Sequence, residues 1–458
     1  MTKLHFYKGL RTIGGTVVEV ETESARCLFD FGIIYQNELD HQVNVRTASL
    51  VRDYLKLGIL PEIPGIYEEM DIKELPLKAW SEDGKKVFFL ISHMHIDHME
   101  ALGLLSQDIP VYMSEDSLKL YEGICETSEY FYRVKQNCMG IRKDIDYQVG
   151  EITFRAIAVD HDIPGACGYR ITTGDGTISY TGDYRLHGLH PEDTLAFAKK
   201  VRGTDLLITE GVTASFMEGD LNDVASSKTV DGIYITEEQM IRTLYNEISN
   251  TNGAVFINLY NRDIDRMYEL WKVLKKTDKK MVFEPASAYF LNKFYNKKNL
   301  FIYEPLARAK SFEQLHFTCN YQLIGREEIT ANPGGYVLQL SYKNLLELLD
   351  LPLAGSLFLH ANGAPLGDYD PAYVKMLAFL NKQNIRFESM CLGGHAYPEH
   401  LKYILETVGA AYLIPLHSLN PEKVHVRTSQ QILPRTGSNY VLENHQLREV
   451  PFENVHRQ

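Results

Sequence analysis

The stretch ISHMHIDHME, residues 91–100, decides how the rest of the chain is interpreted. It follows the apolar run VFFL, which predicts a buried strand, so its polar side chains emerge where the sheet ends. His93 and His95 alternate along an extended loop and can bind one cation. Asp97 and His98, at the start of the next helix, can face a second one. The spacing therefore predicts a site for two metal ions.

The same residues allow a simpler interpretation, in which three histidines lie on the surface and Asp97 caps the helix that begins near His98. A single HxH pattern would leave the two interpretations balanced. Three imidazoles and a carboxylate within six positions, after a strand that is too apolar to need them, favour the metal site.

The composition sets the class of protein. A chain of 458 residues is long enough for two domains, and it has no stretch resembling a signal peptide and no apolar run of about 18 residues. We therefore expect a cytoplasmic protein without a membrane partner. The six cysteines are scattered and form no CxxC pair, which argues against a disulfide framework and a thiolate metal site. The net charge of −13 restricts any polyanion site to a local patch.

Further polar residues follow other predicted strands. Residues 151–185 read as consecutive strands, with His161 after one strand and Asp183 after another, so both can be delivered beside the first loop. We predict His161 as a metal ligand and Asp183 as a carboxylate that bridges two cations. Asp30 also ends a strand, where it can support the loop of residues 91–98 (the metal loop) or simply form a turn. Glu210 is an acid at the end of one more strand.

The next well-placed histidine, His417, comes only after a long interval that is filled by alternating helices and strands. Such alternation predicts a parallel sheet with helices on both faces. We therefore predict an inserted α/β domain over residues 212–384, which divides the first domain into residues 1–211 and 385–458. After it, His395 follows two glycines that let the backbone approach a ligand, a suitable place for a catalytic imidazole.

The inserted segment also carries the local basicity of the chain. Residues 266–310 contain eleven lysines and arginines against four acids, with aromatic residues such as Tyr289 and Phe294 among them. This combination can bind nucleic acid through phosphate contacts and base stacking. It is equally typical of solvated helix faces and core aromatics, so both interpretations stay open.

Seven motifs together resemble the metallo-β-lactamase superfamily and, within it, the β-CASP nucleases such as ribonuclease J. In chain order they are ISHMHIDHM, AVDHDIPGACGYRI, YTGDYR, LLITEG, HANGAPLGDYDP, GGHA and LIPLHS. The resemblance implies an αββα sandwich with an inserted β-CASP domain and a dinuclear centre. It implies that one metal is held by His93, His95 and His161, that the other is held by Asp97, His98 and His417, and that Asp183 bridges them.

The same resemblance implies a hydrolytic ribonuclease, acting as an endonuclease, a 5′ exonuclease or both, whose catalytic residues are Asp97, Glu210 and His395. His395 would protonate the leaving 3′ oxygen, and Glu210 would orient it. The ligand types suit two zinc ions, with manganese as the alternative. Single-stranded RNA is the favoured partner because histidine at position 417 resembles the RNA-directed members.

Three alternatives stay open at this stage. They are a DNA nuclease of the same fold, a metallo-hydrolase such as a thioesterase or lactamase, and a non-catalytic RNA-binding subunit. The HANGAP sequence at residues 360–365 stands where ribonuclease J has GSQGEP, which puts a 5′-monophosphate pocket in question. The oligomeric state is open, a homodimer included.

Overall fold

A computed structural model describes residues 1–34, 44–229, 234–296 and 299–451. Three β-sheets organise the described residues, and the first has eight strands in the order β22-β21-β1-β2-β3-β4-β5-β6. Its strands are β1 (Thr2–Lys8), β2 (Val17–Glu21), β3 (Ala25–Phe29), β4 (Lys86–Leu90), β5 (Val111–Ser114), β6 (Cys138–Ile141), β21 (Asn439–Glu443) and β22 (Gln446–Val450). The pairings from β3 to β6 are parallel, whereas β21, β22 and β1–β3 pair in antiparallel fashion.

The second sheet has seven strands in the order β20-β19-β11-β10-β9-β8-β7. They are β7 (Asp146–Val149), β8 (Ile152–Ala158), β9 (Cys167–Thr173), β10 (Gly176–Tyr180), β11 (Leu206–Thr209), β19 (Tyr412–Pro415) and β20 (Gln430–Gln431). Strand β19 pairs in parallel with β11, although some 200 residues separate them in the chain. The late return of the chain therefore completes a sheet that was begun in its first half.

The first two sheets pack face to face through an apolar core that includes Phe29, Phe88 and Tyr169. Helices cover their outer faces. The helices before the inserted segment are α1 (Leu50–Lys56), α2 (Ile96–Met99), α3 (Glu115–Glu126) and α4 (Pro191–Lys200), and α12 (Pro398–Val408) follows it. Burial of apolar side chains on alternate strand positions holds these four layers together.

The third sheet is parallel throughout, in the order β15-β14-β13-β16-β12-β17-β18. Its strands are β12 (Val255–Leu259), β13 (Lys280–Phe283), β14 (Leu300–Tyr303), β15 (Tyr321–Ile324), β16 (Tyr336–Gln339), β17 (Leu357–Ala361) and β18 (Arg386–Ser389). Its helices are α5 (Glu237–Asn250), α6 (Ile264–Leu274), α7 (Pro285–Tyr295), α8 (Glu304–Ala307), α9 (Lys310–Glu313), α10 (Arg326–Ala331) and α11 (Pro371–Lys382). Separate apolar clusters cover its two faces.

The α/β class, the sandwich and the inserted parallel sheet predicted from the sequence are confirmed. Between β16 and β17 the chain forms a 3₁₀ helix, Tyr342–Asp350, instead of an α-helix. Strand β18 pairs with β17, so the third sheet continues past residue 384. The domain boundaries at 212 and 384 stay a prediction. Within the described residues, no helix is both long and apolar enough to cross a membrane.

Candidate metal centre

The centre lies where loops leave one end of both sandwich sheets. The metal loop follows β4, Asp183 follows β10, Glu210 follows β11, and His417 follows β19. Strands β10, β11 and β19 are parallel neighbours, so their carboxyl ends meet at one edge. The geometry explains why residues that are far apart in the chain converge here.

Close backbone packing holds the metal loop against residues 31–33, which follow β3. The amide of Phe31 donates to the carbonyl of His98 (2.8 Å), and that of Ile33 donates to Ile96 (3.2 Å). A Cβ atom on Gly32 would lie 1.9 Å from the carbonyl carbon of Asp97. Only glycine permits this approach, so Gly32 fixes the depth of the loop.

The first group of candidate ligands is formed by three histidines and Asp183. Nδ1 of His95 lies 3.0 Å from Nε2 of His93 and 3.1 Å from Nε2 of His161. Oδ2 of Asp183 lies 3.7 Å from Nε2 of His93 and 4.0 Å from Nε2 of His161. Four ligand atoms therefore surround one small volume.

The second group is formed by Asp97, His98 and His417, and it shares Asp183 with the first. Oδ2 of Asp183 lies 3.2 Å from Nε2 of His98 and 3.6 Å from Nε2 of His417. Oδ2 of Asp97 lies 3.5 Å and 3.7 Å from the same two nitrogens. The single oxygen of Asp183 thus faces both groups, as a bridging carboxylate would.

These separations fit metal coordination. A tetrahedral zinc ion with ligands at about 2.0–2.1 Å places its ligand atoms roughly 3.4 Å apart. Nε2 of His98 and Nε2 of His417 are buried and, among the described residues, have no hydrogen-bond partner. Buried polar atoms of this kind require a partner, and a cation between them supplies it. The donor set of imidazoles and carboxylates suits zinc or manganese.

Hydrogen bonds orient the candidate ligands from behind. Oδ2 of Asp30 accepts from Nδ1 of His98 (2.8 Å), from the Ser92 hydroxyl (2.9 Å) and from the Tyr180 hydroxyl (2.5 Å). The Gly14 amide donates to Nδ1 of His417 (3.1 Å). The bonds to His98 and His417 fix the outer nitrogen of each imidazole, so the inner nitrogen stays available for a metal. Asp30 therefore orients His98, which is one of the two roles that its position in the sequence allowed.

Electrostatics keep the ligands in metal-binding states. Burial holds the pKa of His93 well below its usual range and lowers the pKa of His161 to about 3, so both are neutral. Burial raises the pKa of Asp183, but the facing imidazoles of His417 and His98 outweigh it and hold that pKa well below its usual range. His98 differs: burial lowers its pKa, yet Asp183 and Asp97 raise it well above normal, so this position attracts positive charge.

His395 lies beside the centre with Glu210. Nδ1 of His395 is buried and lies 3.5 Å from Oε2 of Glu210 and 3.8 Å from Oδ2 of Asp183. Burial lowers the pKa of His395, but the charges of Glu210 and Asp183 outweigh it and raise that pKa to about 9. Because Nδ1 faces the carboxylates, Nε2 is the nitrogen available to a bound molecule. All nine sequence-predicted site residues are thus brought together.

Three residues near the centre were not assigned from the sequence. Oδ1 of Asp162 is buried, 3.4 Å from Nε2 of His161 and 3.6 Å from Nε2 of His95. His187 and Arg185 both donate to the carbonyl of Gly393. The signal for Asp162 was its position next to His161, whereas His187 and Arg185 follow no strand and carry no local signal. His190 is exposed and lies outside the centre.

A cleft of about 640 Å³ opens beside the metal loop, at the carboxyl ends of the third-sheet strands. Ile96 of the metal loop contributes to one wall, and Tyr260, Arg262 and Ser341 contribute to the other. The Tyr260 ring packs against the His95 ring, with centroids 5.5 Å apart. In parallel sheets, ligands bind at this end of the strands, and the volume lies in the range of ligand pockets.

Part of the basic stretch has a structural place, whereas its exposed members are Lys272, Lys275, Lys276, Lys280, Arg308 and Lys310. Arg266 is buried, Lys279 donates to the carbonyls of Thr251 and Gly334, and Lys293 pairs with Glu126. The aromatic residues pack too: Tyr289 and Phe290 are buried, Tyr295 stacks on Tyr268, and Phe294 lies under Lys119. Lys297 and Lys298 lie outside the described residues. Most of these side chains already have partners inside the protein.

Comparisons with known proteins agree with this geometry. Residues 71–241 match the family model of the β-lactamase superfamily domain. Over most of its length, the chain is similar to ribonuclease J of Pyrococcus abyssi, with 21% identity across 91% of this chain and 90% of that protein. The resemblance inferred from the motifs, to this superfamily and to ribonuclease J within it, is confirmed.

Other relatives differ in length. Ribonuclease J of Helicobacter pylori is 22% identical over 92% of this chain but only 56% of its own length. That of Mycolicibacterium smegmatis is 24% identical over 57% of this chain and 40% of its own length. Among solved structures, a protein of unknown function from Enterococcus faecalis V583 is 29% identical, with a TM-score of 0.81 over 96% of this chain and 99% of that one.

Proposed function

We propose that this protein is a two-metal hydrolase that cleaves phosphodiester bonds in single-stranded RNA. The observation that carries the proposal is the pair of ligand groups that share Asp183, with His395 facing them. The similarity to ribonucleases J supports RNA as the substrate class. The cleft between the metal loop and the third sheet offers room for a strand of RNA.

The residues divide the work as follows. When bound by the two ligand groups, divalent cations would polarise the scissile phosphate and make water acidic enough to attack near neutral pH. We assign His93, His95 and His161 to one cation, and we assign a second set, Asp97, His98 and His417, to the other. Asp183 serves both. Zinc is the metal that we propose, because five of the seven candidate ligands are imidazoles and the other two are carboxylates, a donor set typical of catalytic zinc sites.

His395 is proposed as the general acid. The leaving 3′ oxygen is a strong base and needs a proton, which Nε2 of His395 can donate because Nδ1 faces the carboxylates. The carboxylate of Glu210 lies 3.5 Å from the other ring nitrogen, and it also accepts from the amides of Val212 (3.0 Å) and Ala396 (3.4 Å). Glu210 therefore orients the ring and favours its protonated form.

The test is cleavage of 5′-labelled single-stranded RNA by zinc-loaded protein, with DNA of the same sequence in parallel. We expect RNA products with 5′-phosphate and 3′-hydroxyl ends. His395→Ala should lower the cleavage rate about 10²–10⁴-fold while leaving bound metal unchanged, because a general acid contributes that much. His190→Ala, a histidine outside the centre, is the matched control.

Equal cleavage of DNA and RNA would replace the RNA assignment with a general nuclease. Full cleavage by His395→Ala would remove the general-acid role. Absence of cleavage of both polymers by protein with two bound zinc ions would contradict the proposed function. The oligomeric state and the cytoplasmic location stay predictions from the sequence.

A further inference from the structure

The loop Leu392–Ala396, which carries His395, is fixed by hydrogen bonds to its backbone. Two consecutive glycines give this loop little rigidity of its own. Nevertheless, side chains from outside the loop bond its polar backbone atoms. The Leu392 amide donates to Asn362, and the Ala396 amide donates to Glu210. The carbonyls of the loop accept in turn: that of Gly393 from Arg185 and His187, that of Gly394 from His161, and that of Ala396 from Thr213. The position of His395 is therefore set by side chains from outside the loop.

Asn362 differs from the other partners because it follows β17 of the third sheet. Its Oδ1 accepts from the Leu392 amide (2.8 Å) and from Nη1 of Arg266 (2.9 Å). Its backbone is left-handed, with a φ of 66°, a conformation that asparagine adopts more readily than most residues. One side-chain oxygen thus joins the end of β17 to the His395 loop, which follows the neighbouring strand β18.

Arg266 is itself held rigidly inside a buried ionic cluster, which we define as Asp160, Arg185, Glu237, Asp263 and Arg266. Arg266 donates twice to Glu237, at 2.6 Å and 2.8 Å, and Arg185 lies 3.2 Å from the same carboxylate. The Glu237 amide also donates to the carbonyl of His187 (2.8 Å). The ionic cluster therefore supports the His395 loop from two sides, through Asn362 and through His187.

We propose that Asn362 is a positioning residue for cleavage, because its side-chain oxygen holds the Leu392 amide and so places His395 against the metal centre. The proposal rests on the proposed function of His395. A proton donor is effective only within hydrogen-bond reach of the leaving oxygen, and small displacements reduce the rate strongly. Without the bond, the Gly393–Gly394 hinge would let His395 populate unproductive positions.

The proposal is tested with two asparagine-to-glycine variants. Asn362→Gly removes the acceptor but keeps a residue that tolerates positive φ. Asn384→Gly is the matched control, because Asn384 is exposed and also left-handed, with a φ of 53°, and lies outside the site. Asn362→Asp keeps an acceptor oxygen and provides the conservative rescue.

The readouts separate positioning from folding. For Asn362→Gly we expect kcat to fall about tenfold, with KM and bound zinc within about twofold of the wild type, as loss of the hydrogen bond to the Leu392 amide predicts. Hydrogen exchange at the Leu392 amide should accelerate at least about tenfold. Asn384→Gly should change neither kcat nor the exchange rate of the Leu392 amide. Asn362→Asp should retain about half of kcat or more, and its Leu392 amide should exchange as slowly as in the wild type.

Several results would overturn the proposal. They are unchanged Leu392 exchange in Asn362→Gly, faster exchange with unchanged kcat, and loss of bound zinc, which would point to a structural role. If the wild type cleaved no RNA, the proposed function would fail on its own. Exchange would still decide the anchoring, since faster Leu392 exchange would support it and unchanged exchange would reject it.

Discussion

The metal centre and the ionic cluster are both buried and polar, but they differ in how their charges are balanced. The ionic cluster contains two guanidinium groups, and Arg266 fills both oxygens of Glu237. The candidate ligands of the metal centre include no lysine or arginine, and Nε2 of His98 and Nε2 of His417 face the carboxylates of Asp97 and Asp183 without a hydrogen bond among the described residues. The ionic cluster supplies its own cations, whereas the metal centre requires them from solution.

The largest expected effect comes from removing the charge that both metal groups share. Asp183→Asn should lower RNA cleavage about 10⁴-fold or more, because both cations lose a ligand and the phosphate loses its electrostatic stabilisation. Bound zinc, measured by mass spectrometry of the desalted protein, should fall below one equivalent. Asp278→Asn, an exposed acid, is the control, and two retained zinc ions in Asp183→Asn would reject the bridging role.

Breaking the ionic cluster should affect stability instead. Arg266→Met removes the guanidinium that bonds both oxygens of the buried Glu237 and leaves only Arg185 beside it, which should lower the free energy of unfolding by about 3–5 kcal/mol. The double variant Glu237→Gln with Arg266→Met should recover much of this loss, since the buried carboxylate that Arg266 neutralises is then absent and Arg185 keeps Asp160. Urea unfolding measures both. Equal destabilisation in the single and double variants would show that packing, and not charge, determines the stability of this region.

A smaller effect is expected behind the metal centre. Asp30→Asn weakens the acceptor that orients His98, and we expect zinc affinity to fall about 10–100-fold, as for other orienting carboxylates. Competition with a chelator measures the affinity. Asp205→Asn, a carboxylate that bonds Thr177 away from the centre, should leave it unchanged. Identical affinities in the wild type and Asp30→Asn would refute the supporting role of Asp30.

The smallest effect concerns the pH dependence of stability. Burial raises the pKa of Asp263 to about 8, although Arg266 opposes this. The folded protein then keeps a proton that the unfolded chain releases near 3.8, so this group makes stability fall as pH rises from about 4 to 8. The contribution is at most about 1.4 kcal/mol per pH unit.

Asp263→Asn removes this titration and keeps the helix cap, because Oδ1 of Asp263 accepts from the Arg266 amide. Free energies of unfolding between pH 5 and 8 should therefore decline less steeply in the variant than in the wild type. Asp278→Asn again serves as the control. Parallel pH curves for the wild type and Asp263→Asn would mean that Asp263 is ionised in the folded protein.

The contrast between the two clusters also explains what could be predicted from the sequence. Each candidate metal ligand lies in a segment that follows an apolar strand, so the strand pattern identified where His93, Asp183 and His417 would meet. The helix–strand alternation predicted the parallel third sheet in the same way. Local patterns of this kind are visible because burial sets them.

The ionic cluster left no such pattern. Arg266 and Lys293 read as members of a basic surface, yet Arg266 is buried against Glu237 and Lys293 pairs with Glu126. Asn362 stands in a loop whose partner, Leu392, belongs to another part of the chain. These contacts depend on tertiary packing, which a single sequence does not specify locally.

The most direct test of the central claim is anomalous diffraction from crystals of the zinc-loaded protein. We expect two peaks about 3.5–4 Å apart, one among His93, His95 and His161 and one among Asp97, His98 and His417, with Asp183 between them. A single peak, or peaks away from His417, would contradict the paired-cation centre on which the proposed cleavage depends.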